Sequence, residues 1–308
     1  MREDAGSALT AAARRSLAGT SDPRLRFVMD RLIAHLHAFI RETELTEAEW
    51  LRAIQFLTAT GQISDDRRQE FILLSDVLGA SMLVDEINHP AGGPVTASTV
   101  LGPFYRPGAR DLPLGASISQ DARGEPAVFS GRVLAPGGTP IPGALLDVWE
   151  TNENGLYEQQ DPDQPDMNLR GRFRTDAAGR YTFTGIKPVS YAIPDDGPVG
   201  TLLRALGRHP YRPAHIHFIV SAQGYRPLTT HLFVRGDPYL ASDAVFATRD
   251  ALVVDFIRHD TPAEAAAHGV TAPFYTVTYD FVLQPLDTAT APGGGTAPQS
   301  ARIKEAQP

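Results

Sequence analysis

The chain contains no cysteine, which removes disulfides, thiolate metal ligands, iron–sulfur clusters and cysteine nucleophiles together. It lacks any apolar run near the roughly 18–20 residues that a membrane-crossing helix requires, so it does not read as an integral membrane protein. The opening MREDAGSALTAAARRSLAGT mixes acids and arginines through alanines without an apolar core, so it does not read as a secretory signal. Basic charge is in deficit as well. With 36 Asp and Glu against 28 Lys and Arg, the net charge is −8, which disfavours broad attraction to nucleic acid or to an anionic membrane. The cytoplasm is the expected compartment. What remains is ordinary globular composition: 308 residues, 42% hydrophobic and 21% charged, enough for one large domain or two modest ones.

From about Asp22 to Asp85 apolar residues recur at helical spacing, with Leu25, Val28, Leu32, Leu36 and Phe39 forming one stripe. Thr46 and Glu49 have capping-box spacing ahead of Trp50, and a third helix is expected from about Asp66 to Asp85. Proline and glycine then dominate up to residue 125. Beyond lie short β-branched and aromatic runs, among them AVFSGRVL, ALLDVWE, RYTFTGI, AHIHFIV and LTTHLFV, separated by turn signals such as Asn154-Gly155. That spacing predicts an antiparallel β-sandwich rather than βαβ units. The expected class is α+β. Residues 1–21 read as a flexible N-terminal segment and 22–89 as an all-helical domain. Residues 90–125 follow as a linker, 126–286 as the sandwich and 287–308 as a disordered tail.

His215-Ile216-His217 is the sharpest local feature. Residues two apart on a strand project from one face, so both imidazoles can reach one ion. The pair alone fits zinc as well as iron, or two hydrogen-bonded histidines with no metal. Tyr157 follows the Asn154-Gly155 turn, and Tyr191 sits in a proline-bounded loop at 188–194. A lone tyrosine is usually packing, because a phenol with a pKa near about 10 is no ligand at neutral pH. A ferric ion changes that, since it favours hard anionic oxygen donors.

Six segments, in this order and spacing, resemble the intradiol ring-cleavage dioxygenases, the family of catechol, chlorocatechol and hydroxyquinol 1,2-dioxygenases. They are FILLSDVLG (71–79), TVLGPFY (99–105), GALLDVWETNENGLY (143–157), NLRGRFRTD (168–176), YAIPDDGPVG (191–200) and RPAHIHF (212–218). The resemblance implies one Fe(III) per subunit, held by Tyr157, Tyr191, His215 and His217. Tyr191 is then also catalytic, as an acceptor of a substrate proton. Arg212, three residues before His215, would place a fixed cation beside the substrate ring. The implied substrate contacts are Leu73, Asp76, Val100, Leu101, Gly102, Pro103, Phe104, Ile193, Pro194, Arg212 and Val245. His231 stands where many catechol-cleaving members have glutamine, looks more like the hydroxyquinol branch, and is expected to hydrogen-bond near the metal rather than ligate it.

The family match further implies a homodimer through the helical domain, a phospholipid at the dimer interface, and O2 with an aromatic diol or triol as substrates. Asp76 and His231 favour hydroxyquinol (benzene-1,2,4-triol), cleaved to 3-hydroxy-cis,cis-muconate or its keto tautomer maleylacetate. Catechol or a chlorocatechol is the alternative substrate. A zinc hydrolase built on the H-x-H pair and a non-catalytic β-sandwich carrier are the other classes, and neither explains why both tyrosines and both histidines fall at the family's positions.

Overall fold

A computed structural model describes residues 2–65, 68–89 and 93–286. It divides into two compact units, Met1–Ile63 and Ser64–Pro308. The expected tail at 287–308 lies outside the described residues.

The first unit is helical, with α1 (Arg2–Arg15), α2 (Pro23–Glu42) and α3 (Glu47–Ile63). Residues 1–21, expected as a flexible segment, thus carry a helix and a short 3-10 turn. Its alanines favour helix, and Arg14 on α1 reaches Asp30 on α2 at 2.7 Å. Asp22 caps α2 by accepting from the Arg24 and Leu25 N–H groups at 2.8 and 3.1 Å, with Pro23 in the first turn. Thr46 and Glu49 form the reciprocal box ahead of α3. The Thr46 N–H donates to Glu49 Oε2 at 2.9 Å, and the Glu49 N–H donates back to Thr46 Oγ1 at 3.3 Å.

The second unit opens with α4 (Glu70–Val77) and α5 (Ala80–Asn88), where one continuous helix from Asp66 to Asp85 was expected. The break falls at Gly79, whose φ of 74° ends α4 in the left-handed region while its carbonyl starts α5. The two compact units part after Ile63, so α4 and α5 belong to the second.

Twelve strands follow among the described residues. They are β1 (Pro126–Leu134), β2 (Leu145–Trp149), β3 (Arg170–Arg174), β4 (Arg180–Ile186), β5 (Tyr191–Ala192), β6 (Tyr211–Arg212), β7 (His215–Ser221), β8 (Leu228–Val234), β9 (Val253–Val254), β10 (Ile257–His259), β11 (Phe274–Thr278) and β12 (Phe281–Val282). Two short helices interrupt them, α6 (Pro198–Ala205) and α7 (Pro262–Ala267).

One sheet runs β10-β11-β1-β12 with β4 also on β1, and the other runs β3-β2-β7-β8-β9. Between them lies a core that takes Phe129 and Phe183 from the first sheet and Leu146, Phe173, Ile216 and Phe218 from the second. The sandwich and the α+β class are as expected. Not every pairing is antiparallel, however: β1 runs parallel to β11 and β12, and β8 parallel to β9. Those partners are joined by long connections rather than hairpins, which is what a parallel pair requires.

Residues 93–125 hold no helix or named strand, yet they are laid along the sandwich. The Leu112 and Ile118 N–H groups donate to the Arg172 and Thr184 carbonyls, each at 2.8 Å. Ile118 itself is fully buried in the core.

Candidate metal centre

Strand β7 alternates as its sequence requires. Ile216 and Phe218 enter the core, while His215 and His217 point from the opposite face, all four nearly fully buried. Register extends this row across the sheet, since Trp149 on β2 and His231 on β8 both stand opposite His217. Trp149 stacks on the His217 ring at 4.6 Å and 15°, which fixes the plane of the imidazole.

Two tyrosines arrive from outside that sheet. The Asn152 side chain accepts from the Asn154 and Leu156 N–H groups, each at 3.0 Å, and closes the loop that carries Tyr157. Gly155 has φ 77°, and a Cβ placed there would lie 2.7 Å from the Cβ of Tyr191. Only glycine lets the two tyrosine-bearing segments come this close. Tyr191 lies on β5, paired with Arg212 on β6.

The four side chains converge on one point. Tyr157 Oη is 3.0 Å from Tyr191 Oη and 2.8 Å from His217 Nε2. His215 Nε2 is 3.1 Å from His217 Nε2 and 3.4 Å from Tyr191 Oη. Two oxygens and two nitrogens therefore close a ring with edges of 2.8–3.4 Å. Ligands about 2.0–2.2 Å from a shared ion stand roughly 3 Å apart when adjacent, so this ring has the size of a coordination shell.

Its chemistry also fits a hard cation. Burial, with Arg212 nearby, pushes the His215 pKa well down, and burial with its histidine neighbours does the same for His217, so both are neutral lone-pair donors. The His215 Nδ1–H donates to the Pro213 carbonyl at 2.6 Å, which turns the Nε2 lone pair inward. Burial, and then the adjacent Tyr191, raises the Tyr157 phenol well above its usual value. Ionising that phenol requires a strong local positive charge, which a trivalent cation supplies.

His231 lies behind this ring. Its Nδ1 meets the Thr99 hydroxyl, and its Nε2 is buried without a partner. Nitrogens of His215, His217 and His231 lie within 4.8 Å of one another. That three-histidine set is looser than the ring closed by the two tyrosines.

The cavity over these donors is lined by Leu73, Asp76, Val100, Gly102, Pro103, Phe104, Tyr157, Tyr191, Ile193, Arg212, His217 and Val245. Nine of the eleven expected contacts are among them. Leu101 and Pro194 are not, and Leu101 instead packs on the Trp149–Tyr157–Tyr191 cluster. Phe104 stacks on Tyr157 at 4.6 Å. Arg170 donates to the Phe104 carbonyl at 2.8 Å, pairs with Glu158 at 2.8 Å, and sets its guanidinium 5.8 Å from the Tyr157 ring. Burial raises the Asp76 carboxyl to about 6 against the opposing charge of Arg212. Arg212 places Nη1 3.0 Å from His215 Nε2, while Nη2 is buried and has no partner among the described residues.

Sequence reasoning missed Trp149, Arg170 and Asp243, the carboxylate that Arg212 meets at 3.3 Å. Trp149 and Arg170 lay inside motifs already singled out, whereas nothing local marked Asp243.

The dioxygenase family model matches residues 100–285, and the catechol dioxygenase N-terminus model matches residues 22–93. The chain is 51% identical over 264 residues to a hydroxyquinol 1,2-dioxygenase of Rhizobium sp., an alignment covering 85% of this chain and 90% of that one. It is 46% identical over 277 residues to a 6-chlorohydroxyquinol 1,2-dioxygenase of Cupriavidus pinatubonensis, covering 90% and 96%. Among solved structures, a hydroxyquinol 1,2-dioxygenase from Pseudomonas putida superposes with a TM-score of 0.86 at 47% identity, covering 92% of this chain and all of that one.

Proposed function

The chain belongs to the intradiol ring-cleavage dioxygenases, and from that premise we propose that it opens hydroxyquinol with O2 to 3-hydroxy-cis,cis-muconate or its tautomer maleylacetate. One Fe(III) per subunit serves the reaction, held by Tyr157, Tyr191, His215 and His217. The observation that carries this reading is the closed ring of two phenol oxygens and two imidazole nitrogens with 2.8–3.4 Å edges. Ferric iron held there would supply Lewis acidity and withdraw electron density from a bound diol, activating it toward O2.

The remaining work falls to side chains. Tyr191 Oη takes a proton from the incoming diol. The buried Arg212 cation lies where negative charge develops on the ring, and its unpartnered Nη2 is available as a donor. Leu73, Val100, Ile193 and Val245 form apolar walls that exclude water, and Phe104 closes the cavity against Tyr157. Asp76 accepts a hydrogen bond from the third hydroxyl, a group catechol lacks. His231 is not a ligand in this scheme. It stands opposite His217 on the neighbouring strand, with the ring centroids 4.1 Å apart.

The apolar stripe of α2, with Leu25, Phe27, Leu32, Leu36 and Phe39 about half exposed in the single chain, supports a homodimer formed through residues 22–89, with a phospholipid among the exposed apolar groups. No helix among the described residues is long and apolar enough to cross a membrane. The cytoplasm is the proposed compartment.

Metal analysis with a visible spectrum tests the centre. Wild type is expected to hold one iron per chain and to show broad visible absorption from phenolate-to-iron charge transfer. Tyr157→Phe is expected to lose most of that absorption, and His217→Ala most of the metal. A colourless protein holding zinc would instead support the hydrolase alternative.

A further inference from the structure

Asp243 lies in the connection between β8 and β9, outside every motif that marked the site. Its side chain is 2% exposed, and that of Arg212 is 4% exposed. The two carboxylate oxygens serve two different structures. Oδ1 accepts from Arg212 Nε at 3.3 Å and from the Val245 N–H at 3.2 Å. Oδ2 accepts from the Ala247 N–H at 3.1 Å and from the Thr248 hydroxyl at 3.4 Å. Arg212 and Val245 both line the substrate cavity. One buried anion therefore joins the cation of the cavity to one of its walls.

The point of attachment matters. Asp243 engages Nε, which leaves Nη1 beside His215 Nε2 and Nη2 without a protein partner. A free arginine side chain samples many rotamers, and its fork acts on a reacting group only when held in one of them. Tyr191 pairs with Arg212 across β5 and β6 at the backbone, but among the described residues Asp243 is the carboxylate that meets the guanidinium. Its charge also offsets the cost of burying that cation.

Building on the ring-cleavage reading above, we propose that Asp243 is a positioning residue, which fixes the Arg212 guanidinium beside the metal-binding side chains and, through the turn it caps, sets the Val245 wall. Asp243→Asn keeps one acceptor oxygen where the carboxylate offers two, so it can serve only one of the turn N–H groups, and it removes the charge that holds Nε.

The test is a double-mutant cycle on iron-loaded protein with Asp243→Asn, Arg212→Gln and the double variant, following iron content, visible spectrum, kcat and KM for hydroxyquinol. Asp243→Asn is expected to retain iron and colour while kcat falls roughly 10- to 100-fold, the scale of a misplaced electrostatic group. In the Arg212→Gln background the same change should lower kcat by less than about threefold, because the two residues act as a unit. KM should rise for Asp243→Asn in either background through the displaced wall.

A kcat within about twofold of wild type, or losses that multiply across the cycle, would overturn the proposal. If the asparagine variant does not fold, Asp243→Ser, whose hydroxyl can still cap the turn, replaces it in the same cycle. A wild type that holds iron but cleaves no diol would sink the functional reading instead, so the two failures are distinguishable.

Discussion

At Asp76 a carboxyl only 3% exposed lines the cavity, its pKa raised to about 6 because burial outweighs the lowering by a hydrogen bond from Ser81 and by the charge of Arg212. Above that value it is an anion that can accept from the third hydroxyl of the triol. As pH falls through about 6 it gains a proton, and the charge-assisted acceptor becomes a weaker neutral one. The ratio of kcat/KM for hydroxyquinol to that for catechol should therefore drop on the acid side, and steady-state rates across pH 5–8 check it. Asp76→Ala should lower the same ratio roughly 10- to 100-fold at neutral pH, the worth of a hydrogen bond to a charged group. A variant keeping its full preference for the triol would remove Asp76 from substrate choice.

Among the elements, β7 was the most legible. Its period-2 pattern alone places both histidines on one face, and the packing of Ile216 and Phe218 agrees. The start of α3 was legible as well, because its capping box is local chemistry written in adjacent residues. The opposition of Trp149 and His231 to His217 depends on the register of three strands, which no single-strand period encodes. Where Leu101 points was not legible, because residues 99–102 form no regular element and side-chain direction there has no period to follow. Asp243 was invisible for a related reason: Arg212 is 31 residues away, and the contact exists only after the chain has folded.

The loop at Gly155 gives a test at this scale. Gly155→Ala puts a methyl 2.7 Å from Tyr191 Cβ at a φ of 77°, and the two tyrosine segments must separate. The visible band and iron content should fall while the far-ultraviolet signature of the sandwich is unchanged. Full iron retention would show that the close approach is not needed.

Over the whole molecule, burial also sets how stability follows pH. Asp76 and Asp147 are each raised to about 6 by burial, and Glu150, wholly buried with Oε2 unpartnered, is raised well above its usual range. A raised carboxyl binds its proton more tightly folded than unfolded, so its contribution is fully present below the unfolded pKa and lost as pH rises through the folded one. For Asp147 that window runs from about 4 to about 6. Asp147→Asn should therefore lose less stability than wild type between those pH values, read as the shift in urea midpoint.

The account as a whole rests on ring opening by O2, and oxygen uptake by iron-replete protein tests it most directly. Hydroxyquinol and catechol are supplied separately, with heat-inactivated protein alongside because the triol oxidises spontaneously. Fast uptake on hydroxyquinol, well above the inactivated control and well above catechol, is the predicted result. No uptake on either diol from protein that holds its iron would contradict it.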